Sequence, residues 1–423
     1  MGAETKTGIK SRCRVTMPKK NNLGAYNIED LRQMAKKRLP RAVFEYVDLG
    51  AEDYIALGNN RDAYRSLKTK NRVLIDVSKR STATEIFGRK LAMPYAISPT
   101  ASAGLMAEGG EVGLARAAAR MGVPCTAATS ALTPMEEIYE KAMEIEGCNL
   151  WFQLYMWVNQ ELRKNFLERI KATRFETLLV TVDGSVGANR EHNDRNGFSM
   201  PVQYSARLIA QVLANPGWCA RVLLPQFIKR GEFQKVHYPP EIGSKLTDRE
   251  SEHMLAKPSN QTWDDIKRVR DMWPGNLLVK GLYNVKDVVL AKENGLQGAV
   301  LSNHGGRYVD NAPSPIQVLP EIRAAVGPDF KLIVDSGPRR GSDIVKAIAL
   351  GADMVMSGRP TLYGTAAAGE AGAFRALEIF QTEMDRVMAQ LGLNSVDEIG
   401  PHIFWNPPAW VPKPDSGLNR AAE

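Results

Sequence analysis

The densest run of reactive side chains in this sequence is Ser302-Asn303-His304-Gly305-Gly306-Arg307, which directly follows an apolar segment. Histidine can take a proton near neutral pH, and arginine can hold a carboxylate through two parallel hydrogen bonds. A lone histidine is more often structural, but His304 is one of only five, and the glycine pair lets the backbone come close to a ligand. Asp183 ends another apolar segment, where a carboxylate can orient the imidazole and favour its protonated form. Lys280 admits two readings: the Schiff-base lysine of an aldolase, or a fixed cation beside an electron-rich cofactor. Spacing alone does not choose between them. Gly337 with Arg339, and Gly358 with Arg359, read as a phosphate site, with close backbone approach at each glycine, charge from each arginine, and the N-terminus of a helix starting at Gly341 aimed inward. The phosphate can belong to a substrate or to a cofactor.

Something must bring these groups together. Eight short apolar runs start near residues 93, 123, 150, 177, 277, 299, 332 and 354, and stretches of helical period separate them. Runs apolar throughout suit strands buried on both faces of a parallel sheet, and eight such units close into a (β/α)8 barrel of about 250 residues. A doubly wound open sheet is the alternative, disfavoured because no G-x-G-x-x-G follows the first strand. In a barrel, the carboxyl ends of the strands face the site. Those ends carry Pro99-Thr100-Ala101, Thr129-Ser130, Gln153 and Tyr155, Thr181 and Asp183, Lys280, Ser302 to Arg307, Asp335 to Arg340, and Gly358-Arg359. Packing does not explain polar or titratable groups at all eight.

Around the barrel, residues 28–54 read as one or two helices broken at Pro40, and a last helix runs from about Gly369 to Leu391. An insertion after the fourth strand spans about 190–262. Its first part (204–224) is apolar with Arg207 and Arg221, and its later part is polar and expected to be mobile. The expected organisation is a basic, disordered tail (1–25), a barrel domain (26–399) and a Pro-rich tail (400–423) extended over a neighbour or the surface.

Composition excludes several classes. The net charge of +8 is concentrated in residues 1–20, where six basic residues face Glu4 alone, so the body is near neutral and a nucleic-acid face is not expected. No apolar run follows those charges as in a secretory signal, Met17 offers an alternative start, and no stretch is apolar enough to span a bilayer. Four cysteines, none in a CxxC pair, suit a reducing compartment and no structural zinc.

The chain resembles the FMN-dependent 2-hydroxy acid oxidases and dehydrogenases, from about Asn27 to about Ile399. The resemblance rests on LPRAVFEYVDLGAED (39–53), WFQLY (151–155), TVD (181–183), LLVKG (277–281), SNHGGR (302–307), DSGPRRGSDIVKAIALGAD (335–353) and SGRPTLYG (357–364). Within that group, YSARLIAQVLANPGW (204–218) is most similar to the mandelate dehydrogenase branch. The resemblance implies a (β/α)8 barrel with FMN at its carboxyl end and His304 as the base, paired with Asp183. It implies that Arg190 and Arg307 hold a substrate carboxylate with Tyr46, and that Tyr155 contacts the substrate hydroxyl. Lys280 would stabilise the reduced flavin. Pro99, Thr100, Ala101, Thr129, Gln153, Thr181 and Ser302 would line it, and Asp335, Gly337, Arg339, Gly358 and Arg359 would take its ribityl chain and phosphate.

Three departures from the family pattern stand out: Tyr308 where glutamine is usual, Pro338 in the phosphate loop, and Ser130 where glycolate oxidase carries tryptophan. A small Ser130 implies room for a larger side chain than that of glycolate. The implied reaction is oxidation of an (S)-2-hydroxy acid, mandelate-like or else lactate-like, to the 2-oxo acid. Electrons then pass to O2 or, through a peripheral membrane contact at 204–240, to a quinone. The family typically forms homotetramers, and the implied location is cytoplasmic or on the inner face of the cell membrane. A non-redox FMN isomerase and a flavin-free Lys280 aldolase are the rival readings.

Overall fold

The computed structural model describes residues 23–198, 202–238, 245–247 and 259–411. The basic tail with Met17, the last twelve residues of the Pro-rich tail and parts of the insertion lie outside the described residues.

A two-stranded antiparallel hairpin, β1 (Thr84–Ile86) and β2 (Arg89–Leu91), precedes eight parallel strands. These are β3 (Tyr95–Ile97), β4 (Cys125–Ala128), β5 (Leu150–Leu154), β6 (Thr177–Thr181), β7 (Asn276–Leu282), β8 (Gly298–Leu301), β9 (Lys331–Asp335) and β10 (Met354–Ser357). They close into a barrel in chain order, with β10 pairing back onto β3. Helices follow the strands as the periodicity predicts.

Side chains alternate across each strand. Leu178, Val180, Leu277, Val279, Leu332 and Val334 pack outward into the large core shared with the helices. Their neighbours Trp151, Leu179, Leu278, Val300, Ile333 and Met356 form a separate apolar cluster inside the barrel. One step further along the same parity stand Gln153, Thr181, Lys280, Ser302 and Asp335, all buried. The interior therefore changes from an apolar floor to a polar layer within two residues.

The β1–β2 hairpin, which hydrophobic patterning does not reveal, seals the floor. Ile86 and Leu91 join the inner cluster, and Phe87 packs on Trp151 with ring centroids 6.0 Å apart. Its tight turn places Phe87 and Gly88 at φ 49° and 74°, as a two-residue hairpin of the primed type requires.

The N-terminal segment forms two helices, Ile28–Arg38 and Arg41–Asp48, broken at Pro40 as expected. Asp48 accepts from Arg32 at 2.6 and 2.7 Å and from the Tyr363 hydroxyl at 2.6 Å, which fixes the helix carrying Tyr46 against the barrel. The last helix begins where expected, near Gly369. Arg359–Leu391 is continuous except for a break at Ala368 and Gly369 (φ 59°). There the eighth barrel helix meets the last helix so closely that a Cβ on Gly364 would lie 2.2 Å from the Gly372 carbonyl oxygen. The described part of the Pro-rich tail, up to Val411, packs on its own chain: Phe404 bridges to Thr69, and Ile403, Phe404 and Val411 are buried.

The apolar first part of the insertion is helical. It forms the helix Ala206–Leu213 and a longer helical run from Pro216 to Arg230 with a π turn at Cys219–Leu223. Beyond these, His237 is buried between barrel loops. Its Nε2 accepts from the Met135 amide at 2.9 Å, so Nδ1 carries the hydrogen and donates to the Thr129 carbonyl at 2.9 Å. Protonation would place a second hydrogen against the Met135 N–H, and burial lowers the His237 pKa from 6.5 to about 4. A histidine whose folded pKa is depressed leaves stability intact above its unfolded pKa. That stability is then lost as pH falls toward the folded value. Thermal unfolding should therefore lose up to about 3 kcal/mol of stability between pH 6.5 and 4 through this residue. His237→Gln, compared with wild type over that range, should flatten the slope.

Candidate active site

The polar layer opens into a cavity of about 590 Å³ at the carboxyl ends of the strands, in the range of ligand and cofactor sites. Pro99, Thr100, Ala101, Ser130, Gln153, Tyr155 and Thr181 line it from the first four strands, and Lys280, His304, Asp335, Gly337, Arg339, Gly358 and Arg359 from the last four. Tyr46, Arg190 and Arg307 join from the N-terminal helix and two loops. Three of the expected residues stand just behind the wall. Thr129 is fully buried, and its hydroxyl donates to the Gln153 carbonyl and accepts from the Tyr155 amide. Ser302 lies under the floor of the site, and Asp183 borders a second cavity of about 510 Å³.

At the centre, Lys280 Nζ lies 3.1 Å from Asp335 Oδ2 and donates to Ser302 Oγ at 3.0 Å. Ser302 in turn donates to Asp335 at 2.7 Å, and Ser98 donates to the other Asp335 oxygen at 2.5 Å. Burial opposes both charges. For Asp335, the Lys280 charge and the hydrogen bonds win and its pKa is lowered. For Lys280, the two carboxylates Asp335 and Asp183 win and its pKa is raised. Lys280 is thus a held cation, with its hydrogens engaged by oxygens, and not the unprotonated amine an aldolase needs.

The Ser302 oxygen also accepts from the His304 amide at 3.0 Å, and this starts the catalytic loop. His304, Gly305 and Gly306 all adopt left-handed backbone, with φ 57°, 69° and 72°. Glycine is needed twice. A Cβ at 305 would lie 2.6 Å from Arg359 Nη1, and one at 306 would lie 2.6 Å from the Leu57 nitrogen. The turn presents His304 Nδ1 to Asp183 at 2.9 and 3.1 Å. An ionised carboxylate only accepts, so Nδ1 carries the hydrogen and Nε2 is left as the basic nitrogen. Gly281 makes room for that carboxylate, since a Cβ there would lie 2.6 Å from Asp183 Cγ.

Beside the base, Arg190 Nε donates to the Arg307 carbonyl at 3.2 Å. Arg307 Cζ sits 5.0 Å from the Tyr46 ring centroid, and Arg190 Cζ sits 5.3 Å from that of Tyr308. Burial, with the Arg190 charge next, lowers the Arg307 pKa to about 9. Two neighbouring guanidiniums of like charge favour an anion between them.

The opposite end suits a phosphate in its charges but not in its helix. Asp343 accepts from the Arg339 and Arg340 amides, and Glu383 accepts from the Gly341 amide, so side chains already occupy the helix end expected to aim at the anion. Positive charge there comes from Arg339 and Arg359. Arg359 is tied to the carbonyls of Val47, Leu49 and Gly305 at 2.8–2.9 Å. Gly337 and Gly358 let the backbone close in: a Cβ at 337 would lie 2.3 Å from the Asn60 carbonyl oxygen, and one at 358 would lie 2.7 Å from Thr100 Cγ2. Gln153 Nε2 and Thr181 Oγ1 are buried in the cavity wall without a hydrogen-bond partner among the described residues. A buried donor is costly unless a ligand satisfies it. A heteroatom-rich ring over Gln153, Thr181 and Lys280, with its phosphate toward Arg339 and Arg359, meets each requirement, so the residues fit FMN.

The structure adds residues that the sequence did not single out. Ser98 shares the inward parity of Ala96 and was readable from strand alternation. Trp157, Lys235, Tyr238 and Leu246 border the cavity near Ser130, and the Tyr238 hydroxyl bonds Ser130. The space left by a small residue at 130 is therefore bounded by the insertion, which no local pattern in the sequence announces.

Removing one partner of a buried ion pair costs about 3–5 kcal/mol. Asp335→Asn should therefore sharply lower the unfolding temperature, and adding Lys280→Met should recover part of the loss, as read by calorimetry.

Comparison with known proteins agrees with this geometry. Residues 35–406 match the FMN-dependent dehydrogenase family. The chain is 36% identical to the (S)-mandelate dehydrogenase of Pseudomonas putida over 381 residues, covering 90% of this chain and 94% of that one. It is 38% identical to an L-lactate dehydrogenase of Vibrio cholerae over 371 residues, covering 88% and 96%. A crystal structure of the monotopic membrane protein (S)-mandelate dehydrogenase superposes with a TM-score of 0.83 at 35% identity, covering 90% of this chain and all of that one. A matched family over most of the chain and a barrel that superposes throughout leave one assignment: this protein belongs to the FMN-dependent 2-hydroxy acid dehydrogenases.

Proposed function

We propose that the protein oxidises an (S)-2-hydroxy acid with an aromatic side chain to the 2-oxo acid and passes the electrons to a membrane quinone. The observation that carries the reading is the Arg190–Arg307 pair beside a histidine whose Nδ1 is engaged by Asp183. The two guanidiniums hold the substrate carboxylate, with Tyr46 under Arg307. The hydroxyl-bearing carbon is then presented to His304, and Tyr155, a half-buried phenol whose pKa is raised chiefly by desolvation, donates to the substrate oxygen. His304 Nε2 takes one proton, from the hydroxyl or from the α-carbon, and Asp183 stabilises the resulting imidazolium. Bound FMN supplies the two-electron acceptor. Gln153, Thr181 and Lys280 hold its ring, Arg339 and Arg359 hold its phosphate, and the Lys280 ammonium favours electron uptake.

The aromatic side chain is supported by the small Ser130 and the neighbouring ring of Trp157, and by the mandelate dehydrogenase among the relatives. Lactate is the second reading, favoured by the similarity to L-lactate dehydrogenases. Contact with a membrane is supported by the insertion. Tyr204, Ile209, Leu213, Leu224, Phe227 and Ile228 are exposed there, and Leu208 is the only buried residue of the helix Ala206–Leu213. Exposed apolar residues with basic neighbours suit a surface lying in the bilayer interface. No helix among the described residues is long and apolar enough to cross a membrane.

An anaerobic visible spectrum tests the reaction. The yellow of the oxidised protein should bleach on adding (S)-mandelate. His304→Ala should stay yellow and bleach about 10²- to 10⁴-fold more slowly. Bleaching by lactate but not mandelate would move the assignment to the second reading, and near-native bleaching of His304→Ala would remove the base. Co-sedimentation with anionic vesicles tests the surface. Replacing Leu224, Phe227 and Ile228 together by serine should release the protein into the supernatant without slowing mandelate oxidation, and unchanged pelleting would exclude that surface.

A further inference from the structure

Tyr308 departs from the family pattern and has no part in the mechanism above, yet it stands at the centre of the substrate end. Its ring meets the His304 imidazole edge to face, with centroids 4.7 Å apart and planes at 75°. Arg190 Cζ lies 5.3 Å from the same ring centroid. The phenol also borders both cavities, so it forms part of the wall between the substrate site and the space behind Asp183.

The electrostatics give this placement a task. Before an anion arrives, Arg190 and Arg307 must stay side by side although their like charges repel. Each guanidinium lies over a tyrosine, Arg307 on Tyr46 and Arg190 on Tyr308. An aromatic face attracts a cation through its quadrupole, most strongly where water is excluded. The glutamine usual at this position offers an amide but no such face. The same ring limits how far the imidazole can swing about its bond to Asp183, which alone does not fix the ring plane.

We propose that Tyr308 is a positioning residue of the carboxylate site, its ring holding Arg190 beside Arg307 and bracing the His304 imidazole against Asp183. The inference rests on the reading of the two arginines as the carboxylate site. It makes substrate affinity depend on an aromatic ring at position 308 and not on a hydrogen-bonding group there.

Calorimetric titration of the FMN-loaded protein with phenylglyoxylate, the 2-oxo acid of mandelate, tests it without turnover. Tyr308→Leu should weaken binding about 3- to 30-fold. Tyr308→Phe, which keeps the ring and removes the hydroxyl, should restore most of that loss. In an Arg190→Met background, Tyr308→Leu should weaken binding by less than about 2-fold, because the partner of the ring is gone. Native affinity in Tyr308→Leu would overturn the inference, as would a Tyr308→Phe loss equal to that of leucine, or an undiminished loss in the Arg190→Met background. Failure of the wild-type protein to bind either phenylglyoxylate or pyruvate would remove the carboxylate reading and this inference with it. Wild-type binding with no effect of Tyr308→Leu would remove this inference alone.

Discussion

One hydroxyl oxygen ties the barrel to its chemistry. Ser302 Oγ accepts from Lys280 and from the His304 amide and donates to Asp335, which uses the full hydrogen-bonding capacity of a serine. Through it, three adjacent strands, β7, β8 and β9, share a single buried network, and the cation, the anion and the catalytic loop keep fixed relative positions. A buried Lys–Asp pair alone is weak evidence of stabilisation, because desolvating two charges offsets most of their attraction. Its value here is positional. The ammonium stays charged where electrons are to be received, and the first residue of the left-handed turn is anchored to the rigid end of a strand.

The charges around the cavity are unbalanced in a way that matches its ligands. Lys280, Arg190, Arg307, Arg339 and Arg359 face the carboxylates Asp183 and Asp335, so the protein alone leaves the site strongly positive. A cofactor phosphate at one end and a substrate carboxylate at the other supply the missing negative charge. The depressed pKa values of Arg307, about 9, and Arg359, about 10, express the same imbalance, burial being the main cause of each. Backbone carbonyls of the N-terminal helix hold these arginines meanwhile, which is why the short helix Arg41–Asp48 belongs functionally to the site although it precedes the barrel.

Most of this was legible in the sequence because a barrel translates strand parity into position. Once the eight apolar runs are placed, the residues at their carboxyl ends must converge, and His304, Lys280, Arg339 and Arg359 follow without reference to any relative. What escaped did so for physical reasons. The β1–β2 hairpin is too short for periodicity to register, and its task depends on side chains from seven barrel strands. The helix at Gly341 looks like an anion site in sequence, but Asp343 and Glu383 already satisfy its amides, a tertiary fact for Glu383.

The described residues of the insertion show what average composition does not carry. Among the described residues of its polar later part, His237 and Leu246 are buried and Tyr238 bonds Ser130 at the substrate end. A few buried side chains in a polar segment do not change its average hydropathy, but they decide where it lies. The same segment therefore exposes apolar residues between 204 and 228 and, ten residues later, walls the pocket. Removing it whole would open the substrate site along with any docking surface. Only substitutions confined to exposed positions such as Phe227 separate the two roles, because nothing in the barrel leans on those side chains. A loop that contributes both an outer surface and an inner wall is also constrained from both sides, which accounts for a neutral, buried histidine within it, pinned between two barrel loops.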